Sequence, residues 1–243
     1  MFYGAKNGNV KINDSDADYV SFGKGSKYLV IIPGLGDGLK TVKGMATTLA
    51  FMYRIFAKDY KVFFISRRNN LPDKYSTREM AKDIKLAMDE LGIDKADIMG
   101  LSQGGMISQF LAIDFPEKIN KLVIGVSVSR QNDTIRQVIG NWKQLAADNN
   151  YKELFIDSIE KTYTESKARK YRPFYPILSK IGRPKDLKRF IIQADACLGH
   201  DAYDELSKIQ IPTLVIGGNM DKVVGRNTSE EIAQQIKNSN LTI

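Results

Sequence analysis

The feature that most narrows what this chain can fold into is a short junction, Gly100-Leu101-Ser102-Gln103-Gly104-Gly105. Before it, Ala96 to Leu101 is an apolar run of strand length; after it, a helix-forming run extends from Gln103 until Pro116 halts it. A strand that turns straight into a helix at Gly-x-Ser-x-Gly needs small neighbours, because flanking side chains would clash with the turn and the adjoining strand. Such a turn lifts the Ser102 hydroxyl above the sheet edge. It also puts the Gln103 backbone N–H at the amino end of a helix, where it can stabilise an oxyanion with help from the helix dipole. The plain alternative is an ordinary glycine-rich strand-to-helix turn.

Elsewhere strand-like runs alternate with helical ones, the pattern of a largely parallel sheet covered on both faces. Val10 to Asn13 and Asp18 to Phe22 read as a short antiparallel start. Tyr28 to Pro33, Val62 to Ser66, Ala96 to Leu101, Lys121 to Val128 and Thr213 to Gly217 read as core strands. Helices are expected over Thr41 to Phe56, after Ser76, and over Thr228 to Ile236. The second of these starts on a capping-box pattern, Ser76 with Glu79, followed by Met80, Ile84, Ala87, Met88 and Leu91 on one face. From Ser129 to about Cys197 the pattern changes to helical pieces rich in aromatic and basic residues, and strand-like runs are absent until Phe190-Ile191-Ile192. The expected organisation is α/β: a core over residues 1–128 and 199–243 with a helical cap over 129–198. Insertions at that place tend to lie over the carboxyl ends of the strands, where open α/β sheets bind ligands.

Composition excludes more than it selects. The length of 243 residues suits one well-cored domain with a modest insertion. No run is long and apolar enough to span a bilayer, and the opening Met1-Phe2-Tyr3-Gly4-Ala5-Lys6-Asn7 lacks a signal-peptide core. Cys197 is the single cysteine, so an internal disulfide is impossible and a cytoplasmic location is expected; the thiol reads as buried and inert rather than nucleophilic. Part of the +8 charge lies between Lys161 and Arg189, without a nucleic-acid motif, and reads as a solvated basic surface. Asp14-x-Asp16-x-Asp18 opens like a calcium loop, but Tyr19 and Gly25 stand where that loop needs glycine and glutamate. One histidine and one cysteine do not make a zinc site.

Two further segments complete the chemistry. The second oxyanion donor is expected from the loop after an earlier strand, Pro33-Gly34-Leu35-Gly36-Asp37, with the Leu35 N–H as candidate. A dinucleotide-binding reading of Gly34-x-Gly36-x-Gly38 fails because Leu39 stands where the third glycine belongs, although Arg67-Arg68 could be imagined to hold a 2′-phosphate. Thr213 to Asp221 delivers a carboxylate at the end of a late strand, either to orient a histidine or merely to cap a turn.

Leu101-Ser102-Gln103-Gly104-Gly105-Met106, Lys121-Leu122-Val123 and Ile211-Pro212-Thr213-Leu214-Val215 resemble the α/β-hydrolase superfamily. The likeness covers essentially the whole chain and is closest to esterase and acyl-hydrolase-like members with a helical cap. It implies acyl transfer to water through a serine acyl-enzyme on a small-molecule acyl substrate, with no metal or organic cofactor. Ser102 would be the nucleophile, Asp221 the acid, and Leu35 and Gln103 the oxyanion donors. The departure is the histidine, which the family carries after the final core strand in the order Ser…Asp…His. Asn240-Leu241-Thr242-Ile243 looks like the opening of that strand, and the single histidine, His200, precedes Asp221 at what resembles the junction of cap and core. The expectation is a base beyond Ile243 in a truncated chain with its edge strand and helix missing; a natural member lacking the base is the alternative. A non-catalytic ligand-binding protein, acyl transfer to an alcohol, and C–C bond hydrolysis are the competing functions on this scaffold.

Overall fold

The computed structural model describes residues 2–180 and 182–243. The first strands are β1 (Lys6–Ile12), β2 (Ser15–Phe22) and β3 (Lys27–Ile32), followed by helix α1 (Ala46–Met52) and β4 (Tyr60–Arg68). Then come α2 (Thr77–Glu90), β5 (Ala96–Leu101), α3 (Gln103–Asp114) and β6 (Ile119–Gly125). Five helices follow: α4 (Asp133–Ala147), α5 (Tyr151–Thr162), α6 (Glu165–Tyr171), α7 (Tyr175–Leu178) and α8 (Lys188–Leu198). The chain returns through β7 (Thr213–Ile216), α9 (Thr228–Gln235) and β8 (Ser239–Thr242). The sheet order is β1-β2-β4-β3-β5-β6-β7-β8. β1 and β2 pair antiparallel, as does β2 with β4, and every other pair is parallel. This is the expected α/β architecture with a mostly parallel sheet.

Local chemistry explains the elements that place the site. Ser76 accepts from the Glu79 N–H at 3.2 Å while Glu79 accepts from the Ser76 N–H at 2.7 Å, so α2 starts on a closed capping box. Helix α3 is buried all round from Gln103 to Ala112, so it has no solvent-facing polar stripe, and its buried Gln103, Ser108 and Gln109 are each hydrogen-bonded. One apolar cluster packs α2, α3 and α9 onto the sheet, and another packs α1 against β2, β3 and β4. A third joins α4, α5 and α8 to Leu35, Met106 and Val128, and so fastens the helical segment to the carboxyl end of the sheet.

Four expectations need correction. Phe190-Ile191-Ile192 is not a strand but part of α8. Phe190, Ala194 and Cys197 face the helical cluster while Ile192 and Ala196 face the main core, so a helix buried on two sides presents a continuous apolar run. The helix expected over Thr41 to Phe56 is confined to α1 and a 3₁₀ turn at Arg54–Phe56, because Gly44 takes a left-handed φ of 79° and blocks an earlier start. The sheet edge expected to be missing is occupied by the four-residue β8, with Leu241 and Ile243 exposed on it. Last, the basic segment is not simply solvated: Arg172 donates to Glu160 and Glu165 at 2.8 Å each, and Arg189 reaches into the interior. No helix among the described residues is long and apolar enough to cross a membrane.

Candidate active site

The loops after β3, β5 and β7 all open at the carboxyl ends of parallel strands, the place where such sheets bind ligands. Ser102 stands at the middle loop with φ 54° and ψ −118°, a conformation that costs an L-residue about 1–3 kcal/mol. The backbone on either side holds it there. The Ser102 N–H donates to the Gly125 carbonyl at 2.8 Å, and its carbonyl accepts from Gly105 N–H at 2.8 Å and from the Ser127 hydroxyl at 2.9 Å. Both glycines of the motif are required by close approach: a Cβ on Gly104 would overlap the Ile32 carbonyl, and one on Gly100 would overlap the Gly104 carbonyl.

Over this turn lies the 3₁₀ segment Leu35–Gly38, close enough that a Cβ on Gly34 would sit 3.3 Å from Ser102 Cβ. Amides in the first turn of a helix have no intrahelical acceptor, which leaves the Leu35 and Gln103 N–H groups available at the two ends that converge on Ser102. Asp221 arrives on the loop after β7. Its Oδ1 accepts from the Val223 and Val224 N–H groups at 2.7 and 2.9 Å, so the turn-capping reading of this residue is realised at one oxygen while the half-buried carboxylate still faces the same space. Ser102, Leu35 and Asp221 line one cavity of about 610 Å³, walled by apolar side chains that include Trp142, Leu154 and Phe190. The helical segment supplies those three walls, and Lys161 and Lys222 are the lining cations.

Two residues weighed as alternatives lie elsewhere. His200 is not on the surface: it is 1% exposed, with Thr77 Oγ1 2.9 Å from Nδ1 and the Phe110 ring packed edge-on at 5.3 Å. Burial pushes its pKa down to about 3, and it does not line the Ser102 cavity. Cys197 is buried as expected, and desolvation pushes its thiol up to about 12. The Arg67–Arg68 pair is not displayed at the surface, as a phosphate site would need. Arg67 is 1% exposed, and Arg68 pairs with Asp83 at 3.0 Å.

Sequence reasoning missed the polar cluster beneath the Leu35 loop. Asp37, itself buried, accepts from Arg189 at 2.6 Å and from Gln193 at 3.2 Å through Oδ2. The Gln103 side chain turns away from the cavity to join it, donating to the Gln193 carbonyl at 2.7 Å and to Cys197 Sγ at 3.2 Å. The available signal was Arg67 itself, a cation continuing a strand whose preceding residues Val62 to Ser66 are all buried.

The family model described as alpha/beta hydrolase fold matches residues 27–243. The chain belongs to the alpha/beta hydrolase fold family. This alpha/beta hydrolase is 26% identical over 234 residues to a 2-hydroxy-6-oxononadienedioate/2-hydroxy-6-oxononatrienedioate hydrolase of Pseudomonas sp, covering 91% of this chain and 78% of that one. It is 22% identical over 231 residues to 3-oxoadipate enol-lactonase 2 of Acinetobacter baylyi, covering 95% and 85% respectively. In fold it is similar to the enol-lactonase from Burkholderia xenovorans LB400, with a TM-score of 0.79 at 18% identity over 97% of this chain and 90% of that one. These relatives of the hydrolase are themselves hydrolases, which supports the coarse reading of its chemistry.

Proposed function

We propose that the protein is a serine hydrolase that cleaves a carboxylic ester or related acyl bond through an acyl-enzyme on Ser102. The observation that carries this reading is the strained Ser102 turn on the floor of a 610 Å³ cavity that Asp221 also lines. Strain of this kind persists where the surrounding backbone over-determines it, and it marks sites built for a task. In the proposed reaction a base takes the Ser102 proton, Oγ attacks the acyl carbon, and the developing oxyanion accepts from the Leu35 and Gln103 N–H groups. The intermediate collapses, the acyl–oxygen bond breaks and the alcohol departs with the proton the base had taken; water, deprotonated by the base, then attacks the acyl-enzyme, and the acid leaves as Ser102 regains its proton.

Asp221 is proposed to orient the base with the oxygen that does not cap its own turn. A buried, neutral His200 bonded toward Thr77 is not a fit for that base. His200 is the one histidine in the sequence, so the reading expects weak general-base assistance from these 243 residues alone. The segment 129–198 is proposed as a cap whose Trp142, Leu154 and Phe190 take the apolar body of a small acyl substrate. A cavity of this size is in the usual range for small-molecule sites. C–C bond hydrolysis is the second reading, favoured by the similarity to the Pseudomonas hydrolase and by Lys161 and Lys222, which could receive a carboxylate of the substrate.

The test is short-chain p-nitrophenyl ester hydrolysis by the 243-residue chain with and without added imidazole. The reading expects near-background turnover, a rise with free imidazole, and loss of that rise in Ser102→Ala. Removing the histidine of a serine-hydrolase triad costs as much as ~10⁶ in turnover, which sets the scale of the deficit. Strong turnover without imidazole that vanishes in His200→Ala would overturn the exclusion of His200 as the base.

A further inference from the structure

The two proposed oxyanion donors sit on segments far apart in sequence, yet one buried guanidinium touches both. Arg67, near the end of β4, directs Nη2 at the Pro33 carbonyl at 2.5 Å and at Gln103 Oε1 at 2.7 Å. These use the two hydrogens of that nitrogen, and the Gly34 carbonyl lies at 3.5 Å as a longer contact. Anchoring the Pro33 carbonyl fixes the start of the loop in which the next peptide joins the Gly34 C=O and the Leu35 N–H in one plane. The Gly34 carbonyl also accepts from the Asp37 N–H at 3.2 Å. On the other segment, Gln103 has its Oε1 held by Arg67 and its Nε2 held by the Gln193 carbonyl and Cys197, so the first residue of α3 is fixed at both ends of its amide.

The surroundings make this more than ordinary packing. Beside Arg67 the buried Asp37 carboxylate pairs with the partly exposed Arg189 and accepts the Arg67 backbone N–H at 3.4 Å, so the Arg67 guanidinium is buried behind the loop without a carboxylate of its own. A buried cation carries a desolvation cost that an apolar residue of similar length avoids. Burial accordingly lowers the Arg67 pKa.

We propose that Arg67 is a positioning residue that sets the separation and direction of the Leu35 and Gln103 amide donors, so that both meet an anionic tetrahedral oxygen on Ser102. The proposal rests on the serine-hydrolase reading for its purpose, and on the Arg67 contacts for its mechanism. It makes Arg67 important for binding a tetrahedral anion and unimportant for binding a neutral ligand of the same shape.

The experiment uses the ligand-free chain and two probes, butylboronic acid as the tetrahedral anion former and butyramide as the neutral ligand. In Arg67→Met the amide ¹H–¹⁵N resonances of both Leu35 and Gln103 are expected to move, and boronate affinity to fall at least ~10-fold, with butyramide affinity held within ~2-fold. Gln103→Leu removes one of the two short contacts and is expected to give a smaller loss of the same kind, which keeps the proposal testable if Arg67→Met does not fold. Stationary amide resonances in both variants, or equal losses for boronate and butyramide, would overturn the proposal. Boronate binding unchanged in Ser102→Ala would instead count against the serine reading, and the amide resonances would still decide the role of Arg67.

Discussion

Gly104 packs its Cα against the Ile32 carbonyl so closely that no β-carbon fits between them. The contact brings the first turn of α3 down onto β3 and holds the Ser102 turn beside the Leu35 loop. Gly104→Ala must therefore displace backbone, and its expected cost is about 3 kcal/mol or more in urea unfolding. Gly140, inside α4, has open space where its β-carbon would go. Gly140→Ala is expected to stabilise by about 0.5–1 kcal/mol. Similar effects from the two substitutions would contradict this account.

Ser102 holds a backbone conformation that glycine adopts freely. Ser102→Gly should release about 1–3 kcal/mol of strain against a backbone-entropy cost of about 0.5–1 kcal/mol. The expected net gain is about 1 kcal/mol, read as a rise of about 2–4 °C in melting temperature. Ser102→Ala keeps the strain and should leave the melting temperature within about a degree of the wild type. A Ser102→Gly variant less stable than Ser102→Ala would mean that the turn is not strained.

His200 is neutral in the folded protein and titrates near 3, because burial disfavours the imidazolium. Unfolded histidine titrates near 6.5, so between these values the unfolded state binds the extra proton. Stability contributed by this group is present above pH 6.5 and declines as pH falls toward 3, by at most about 1.4 kcal/mol per pH unit. Urea midpoints of the wild type and His200→Gln between pH 7.5 and 4.5 check it (~3 pH units, spanning the upper part of that window). The wild type should lose more stability on acidification than the variant, and parallel curves would contradict the assignment.

Much of the fold was legible because its signals are local. The Ser76–Glu79 capping box, the paired opening strands and the apolar run before Ser102 each depend on neighbours in sequence. The Gly-x-Ser-x-Gly turn was legible for the same reason, since the clashes that require its glycines come from the turn and the strands beside it. Phe190-Ile191-Ile192 misled because burial on two faces erases helical periodicity. The Arg67 cluster was illegible for another reason: its partners Pro33 and Gln103 lie 34 and 36 residues away on different strands' loops, and nothing local predicts that they converge. The Arg172 ion pairs with Glu160 and Glu165 were hidden likewise, their partners 12 and 7 residues back across a helix boundary.

The most direct test of the central claim is mass spectrometry of the peptide carrying Ser102 after incubation with p-nitrophenyl butyrate. Where the base is lacking, deacylation is slowed together with acylation, so an acyl-enzyme once formed should persist. The account predicts a butyryl group on Ser102, absent in Ser102→Ala and faster to form and decay with added imidazole. Release of p-nitrophenol with no acyl group on Ser102, or an equal rate from Ser102→Ala, would contradict it.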